Sequence, residues 1–165
     1  MSDTLANVVD VGDGLLPAEV GSGQAVDRVV AKPMTIIVPG TMRGKGRPRF
    51  GNGRTYTDAK TVSAENWIKS CAVDQVGTPV LECPVEVSIV VEKAVPASWS
   101  AKKRSSALLG QIHATGKPDW DNAGKLACDS LNGIVWKDDS QIVTATYRRR
   151  FGPVDQTTIT ITPLA

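Results

Sequence analysis

Two aspartate pairs, each set where a regular element begins, constrain this chain more than any other feature. Asp119 and Asp121 open a segment, Trp120 to Leu131, that reads as a helix closed by the Asn132-Gly133 stop signal. Asp138 and Asp139 stand just before Ile142 to Phe151, a run that reads as a strand. A helix start and a strand start can converge on one point. Two acidic doublets that meet there could hold a divalent ion, because Mg²⁺ takes hard oxygen ligands, usually a few carboxylates plus water.

The rest of the chain supplies elements to pack around that point. Met34–Val38 is a β-branched run stopped by Pro39-Gly40, and Val85–Val91 is a second strand in which Val85, Val87, Ile89 and Val91 alternate. Between them, Asp58 to Val76 carries Ala64, Trp67, Ile68, Cys71 and Ala72 at helical spacing. Another helix starts near Ser98, with Ser98 or Ser100 as its N-cap, and runs towards Gly110. Thr157–Thr162 is the last strand, and Gly152-Pro-Val-Asp reads as the turn of a hairpin joining it to Ile142–Phe151. The order β-loop-α-β-α-α-β-β predicts an α/β (α+β) sandwich, a mixed β-sheet packed against helices. There is no internal repeat.

Composition narrows the function classes. The 165 residues suit one domain, 32–165, with residues 1–31 as an N-terminal extension that has no aromatics. No apolar run approaches the roughly 20 residues of a membrane span, and the start of the chain does not resemble a secretory signal. The expectation is a cytoplasmic protein. Cys71, Cys83 and Cys128 are widely spaced and His113 is the only histidine, which argues against a Cys/His zinc site, a disulfide framework and a Ser-His-Asp or Cys-His nucleophile. The net charge of +2 hides an asymmetry: residues 1–31 balance to −4 and residues 32–165 to +6. A basic body with a local acidic hole suits an enzyme whose bases hold a polyanion while its acids hold an ion.

The bases cluster. Arg43 to Arg54 contains five basic residues (Arg43, Lys45, Arg47, Arg49, Arg54), four glycines and Phe50 in 12 positions. Glycine and proline exclude a regular helix there, leaving a flexible loop or a hairpin. Such a segment could follow a phosphate backbone, with forked arginine contacts and close approach at glycine, while Phe50 or Tyr56 stacks on a base. Lys102-Lys103-Arg104 and Arg148-Arg149-Arg150 add charge. A solvated face is the plainer reading of any one cluster. The four tryptophans, Trp67, Trp99, Trp120 and Trp136, read first as core or as packing that fixes neighbouring acids.

Phosphodiester cleavage requires activation of water, neutralisation of charge and stabilisation of the leaving oxygen, and Mg²⁺ can supply all three. Lys125 lies one helical turn after Asp121, where it can orient water, contact the phosphate or protonate the leaving group. Asp129 lies one turn further and could position it. The alternative is structural: Asp is a common N-cap, Asp121/Lys125/Asp129 has the spacing of i,i+4 ion pairs, and Asp138-Asp139 could be a turn before a strand.

The stretch Thr115 to Val143, TGKPDWDNAGKLACDSLNGIVWKDDSQIV, closely resembles the signature of RusA-type Holliday-junction resolvases, small crossover-junction endodeoxyribonucleases of phages, prophages and bacteria. Ser98-Trp-Ser, Lys102-Lys-Arg and Gly44-Lys-Gly-Arg-Pro-Arg resemble phage-type members, and the likeness spans about residues 33–162. It implies a Mg²⁺-dependent homodimer, with Mn²⁺ as a possible substitute ion, acting on branched, four-way DNA. By position, Asp119, Asp121 and Asp139 match its catalytic acids, Asp138 is an acidic neighbour at the metal, and Lys125 matches its lysine. Asn122, Asp129 and Gln141 fall on supporting positions. Arg43, Lys45, Arg47, Arg49, Arg54, Lys102, Lys103, Arg104 and Lys117 are the expected DNA contacts. Two departures stand out: Ala123-Gly124 where a bulkier apolar residue is usual, and Lys117-Pro118 where some relatives have an arginine-rich approach. The rivals are a same-fold nuclease preferring forks, flaps or other branches, and a non-catalytic DNA-binding protein.

Overall fold

The structure is a computed structural model that describes residues 32–47, 49–51 and 53–164. The expected extension over residues 1–31 lies outside the described residues. Ten elements follow in order: β1 Met34–Pro39, a hairpin of β2 Arg49–Gly51 and β3 Arg54–Tyr56, α1 Ala59–Val76, β4 Val85–Ala94, α2 Ala101–Leu108, α3 Trp120–Leu131, a 3-10 turn Asp139–Gln141, β5 Ile142–Gly152 and β6 Gln156–Pro163. The basic loop thus ends in a hairpin. Among the described residues, no helix is long and apolar enough to cross a membrane.

The main sheet runs β1-β6-β4-β5, with β4 and β5 parallel and the other pairs antiparallel. It is the mixed sheet of an α+β fold, as the element order predicts. The expected β5–β6 hairpin does not form, because β4 lies between the two strands. The Pro153–Asp155 connection passes over the end of β4, and Asp155 fastens it there. Its carboxylate accepts from the Ala94 amide (2.8 Å) and from the Thr41 hydroxyl (3.0 Å), while its carbonyl accepts from the Gly40 amide (2.9 Å). β4 is the more apolar strand and takes an interior place. β5 is left at the edge, with Val143, Thr144, Ala145 and Thr146 exposed.

Register aligns one apolar row across the sheet. Ile36 pairs with Ile159, which pairs with Ile89, and Val87 pairs with Ile161. Because side chains alternate, these residues share a face. Ile68, Cys71 and Ala72 of α1 and Ala123, Leu126, Ala127 and Leu131 of α3 bury against it. α2 forms a smaller cluster with β5, in which Trp99 meets Phe151 edge-on at 5.2 Å between centroids. Ser100 caps α2, accepting from the Lys103 amide at 3.4 Å.

The tryptophans divide. Trp136 is fully buried, and its indole donates to Asn132 Oδ1 at 2.7 Å, which anchors the loop between α3 and the 3-10 turn. Trp67 and Trp120 are not core residues: they are 51% and 69% exposed. A helical spacing of apolar residues does not reveal how much of a large ring its neighbours cover.

Leu126 joins α3 to the core and is fully buried. Leu126→Ala is expected to lower unfolding stability by about 2–5 kcal/mol, measured as a fall in urea midpoint at unchanged slope.

Candidate active site

α3 presents the first acidic pair. Asp119 is its N-cap by backbone geometry (φ −65°, ψ 150°), yet its side chain makes no capping hydrogen bond. The plain reading of Asp119 as a capping residue therefore fails, and its carboxylate is free for another partner. Asp121 follows in the first turn, and both line one cleft together with Thr115, Trp120, Tyr147 and Arg149. The positive end of the helix dipole favours negative charge here. Trp120 stands exposed between the two acids, open to stacking on a base. Lys125 is exposed one turn along and enters no ion pair among the described residues.

Two contacts hold the start of α3 in place. The first is Arg149, whose guanidinium donates to the carbonyls of Gly116 and Pro118 and also to the Tyr147 hydroxyl (2.9 Å from Nη2). It thereby fixes the turn, cis at Lys117–Pro118, that leads into Asp119. In the sequence Arg148–Arg150 reads as undivided charge, and this role does not show. A signal was available: on a strand the middle arginine faces opposite to its neighbours. Arg150 pairs with the buried Glu92 at 2.7 Å, while Arg148 is exposed.

The second contact is the 41–47 loop. Its Lys45 amide donates to the Asn122 carbonyl at 2.9 Å. A Cβ on Gly44 would lie 2.9 Å from Pro118 Cβ and 3.1 Å from Asn122 Cβ, and one on Gly46 would lie 2.8 Å from Thr61 Oγ1. These glycines permit close approach to the protein itself, whereas the sequence reading set them against phosphate. Lys45 follows the same pattern. Its ammonium binds Asp129 and lies 3.3 Å from Glu65, so it ties the loop to α3 and α1. Burial alone would lower its pKa, but the hydrogen bond and charge of Asp129, then of Glu65, outweigh burial and raise it. The pair therefore contributes fully below the ordinary lysine value and is lost as pH rises through the raised one. Asp129 thus supports the site through Lys45, and the i,i+4 ladder through Lys125 is absent among the described ion pairs.

The second acidic pair sits in the 3-10 turn. Asp138 Oδ1 accepts from the Ser140 amide at 3.0 Å, and Gln141 Oε1 accepts from the Asp138 amide at 3.0 Å. Hydrogen bonding from Ser140, through its hydroxyl first and then its amide, lowers the Asp138 pKa. Gln141 also donates to the carbonyls of Leu81 and Cys83, both at 2.9 Å, and so secures the turn to the start of β4. Asp139 is exposed. Its charge is felt at Cys128 on α3: burial first, then Asp139 and Asp129, push that thiol up to about 11. Among the described residues, no three Asp, Glu, His or Cys side chains stand close enough together to hold a metal ion. Asp119 and Asp121 share a cleft, and Asp138 and Asp139 do not line it. Two free, exposed carboxylates still suit a hydrated hard cation, which commonly takes one or two carboxylates and keeps several waters.

A second cleft of about 640 Å³ opens on the other side of Asp119, lined by Arg43, Lys60, Lys117 and Asn122 among others. Arg43, Arg47, Arg54, Lys102, Arg104 and Lys117 are exposed. Lys103 is exposed as well, and its ammonium lies 4.0 Å from the Trp99 ring centroid, a cation–π contact. The Arg49 side chain lies outside the described residues.

A family profile described as "Endodeoxyribonuclease RusA" matches residues 39–162, which takes in the loop, the clefts and all four acids. The chain belongs to the RusA endodeoxyribonuclease family. It is also 33% identical, over 105 residues, to "Uncharacterized protein YqaN" of Bacillus subtilis (strain 168), covering 60% of this chain and 74% of that protein. As a RusA-family chain it is a DNA endonuclease, and the fold accords with that membership.

Three outcomes test the geometry. Lys45→Ala, which strands two carboxylates, is expected to cost about 1–3 kcal/mol of stability, measured by urea unfolding. Arg149→Ala is expected to lower DNA incision by about 10²-fold through misplacement of Asp119, with the melting temperature as a control for folding. Peptide-level alkylation of Cys128 should show a midpoint near the value of about 11, and Asp139→Asn should shift that midpoint down.

Proposed function

We propose that this chain is a Mg²⁺-dependent, structure-specific endonuclease that resolves four-way DNA junctions by paired symmetric incisions, in recombination and repair. The observation that carries the reading is the uncapped Asp119, which shares a cleft with Asp121 in a chain of the RusA family. Asp119 and Asp121, joined by Asp139 once DNA or an ion draws the two doublets together, are the residues that would hold Mg²⁺, with Mn²⁺ as an alternative. Asp138, engaged in its own turn, is their neighbour. The bound ion would supply charge neutralisation at the phosphoryl oxygens and activation of water.

The remaining work falls to the chain's own groups. Lys125 places a positive charge beside the scissile phosphate and can donate to the leaving oxygen. Arg43, Arg47 and Lys117 grip the backbone on the other side of Asp119. Asn122, through its carbonyl, and Asp129, through Lys45, keep the loop seated. Exposed Lys102, Lys103, Arg104 and Arg54 extend the basic surface to a DNA arm. These charges make binding salt-dependent.

A homodimer completes the proposal. A four-way junction has approximate two-fold symmetry, and so does an isologous dimer. Two incisions from chains that each carry one acidic site call for two chains. The bare edge of β5 is a surface by which they could join. An enzyme of this kind works where the DNA is, in the cytoplasm of a bacterial cell or a phage-infected host.

The test is incision of a labelled mobile four-way junction, with a fork, a flap and a linear duplex alongside. Paired nicks on opposed strands are expected with Mg²⁺, none with EDTA, and at least a 10²-fold loss in Asp121→Asn with junction binding retained. Preferential fork or flap cutting would overturn junction specificity and keep the chemistry. Binding without incision by folded protein would overturn the nuclease mechanism. Light scattering is expected to give twice the 17.5 kDa chain mass.

A further inference from the structure

A separate cleft of about 330 Å³ lies between the end of β1 and α1. Its walls include Val38, Met42, Ala64, Ile68 and Leu126, so most of it is apolar. Three features set it apart from a packing defect. Trp67 forms one wall, half exposed, and its indole N–H donates to the Pro39 carbonyl at 2.9 Å, which fixes the ring. Thr157 also lines the cleft, 1% exposed, and its Oγ1 has no hydrogen-bond partner among the described residues. Buried polar atoms are almost always satisfied, so an orphan hydroxyl beside a cavity marks a place where a partner is missing. Finally, Arg43 and Lys60 line this cleft and also the larger one that ends at Asp119. The two clefts share Thr41 and Met42 as well, and so adjoin along a line from Asp119 to Trp67.

The chemistry along that line runs from carboxylates, past two cations, to an aromatic wall with a lone hydroxyl. A nucleotide chain has the complementary sequence of groups. Its scissile phosphate would sit at the acids, the neighbouring phosphate at Arg43 and Lys60, and a base against the indole. At about 330 Å³ the cleft lies at the small end of ligand sites, about 300–1,000 Å³. It can take a single base and cannot take a duplex. The base must therefore be unpaired and unstacked, a state that costs least at mismatched or already single-stranded positions.

We propose that the Trp67 cleft is a subsite for one unpaired nucleobase of the strand whose phosphate lies at Asp119. Trp67 is its stacking platform, Thr157 Oγ1 its polar contact, and Arg43 with Lys60 the anchor of the intervening phosphate. The proposal rests on the reading of this chain as an endonuclease for branched DNA, and two arms of the test separate the two ideas.

The first arm needs no cleavage. In EDTA, tryptophan fluorescence of the full chain is titrated with a single-stranded deoxytetranucleotide and with the same strand bearing one internal abasic site. The intact strand is expected to quench and to bind on the order of ten-fold more tightly, within the range for stacking one base. In a Trp120→Phe background, which removes the exposed indole beside the acids, Trp67→Phe should lack that quenching signal, and Trp67→Ala should lose the preference for the intact strand. Thr157→Val, close in shape and apolar, should weaken binding of the intact strand and leave the abasic one unchanged. In the second arm, a four-way junction carries an abasic site at each position flanking the cut. Wild type should lose incision at one position, and Trp67→Ala should cut intact and abasic junctions alike. Junction cutting that is indifferent to every abasic site, with equal quenching in Trp67→Phe, would overturn the subsite and leave the nuclease reading standing. Base-dependent quenching at Trp67 without any incision would sustain the subsite and overturn the nuclease reading. A Trp67 signal that changes with protein concentration and not with DNA would overturn the subsite in favour of a protein segment in the cleft.

Discussion

The close seating of the 41–47 loop on α3 is the constraint on which the rest of the site depends. Gly44 approaches Pro118 and Asn122 so closely that a Cβ has no place, and the Lys45 amide bonds to the Asn122 carbonyl. The Lys45 ammonium then meets Asp129 and Glu65. A loop without regular hydrogen bonding is thus held at its backbone, by its missing side chain and by its charge. Arg149 holds the opposite side of the same turn through the Gly116 and Pro118 carbonyls. Asp119 lies between these two clamps, so its position is set by contacts from both sides rather than by α3 alone.

The cations of this chain consequently serve two purposes. Lys45, Arg149 and Arg150 are bound to carboxylates or carbonyls of the chain, and Lys103 lies over Trp99. Arg43, Arg47, Lys60, Lys117 and Lys125 remain exposed around the clefts. Counting the basic residues of the Arg43–Arg54 run as uniform phosphate contacts therefore overstates the DNA-facing charge. The bound group also sets the exposed one, because a loop left unfastened would not hold Arg43 and Arg47 in a fixed frame. Partly buried charges are screened less by salt than exposed ones, so the frame should persist at ionic strengths that weaken the grip.

Much of this was legible in the sequence. The limits of α3 matched throughout, because a strong apolar stripe and an Asn132-Gly133 stop bracket it. The other strands and helices fell within a few residues of their expected ends. The β5–β6 hairpin failed for a physical reason. A short Gly-Pro turn records only that the chain reverses, and which strand fills the space between is decided by the burial of β4. The partners of Lys45 and Arg149 were illegible because they lie 84 and about 31 residues away. The exposure of Trp67 and Trp120 is likewise a tertiary fact. The pattern of acids survived because it depends on which residues are present, and their spatial grouping could not be read from it.

The four acids differ in how far the fold uses them. Asp138 is consumed locally: its carboxylate caps a turn and its backbone is returned to by Gln141. Asp119 occupies a position where an aspartate normally accepts from the backbone, and that hydrogen bond is absent. A good N-cap contributes about 0.5–2 kcal/mol, so leaving it unmade sacrifices stability at the start of the helix that the two clamps hold most firmly. The helix end does not need its cap because Lys45 and Arg149 already secure it. Fastening the backbone from outside is what allows the Asp119 carboxylate to stay open towards the cleft that Asp121 shares. A residue that could stabilise its own helix, and is relieved of that task by distant neighbours, is one whose side chain the fold leaves open to the cleft.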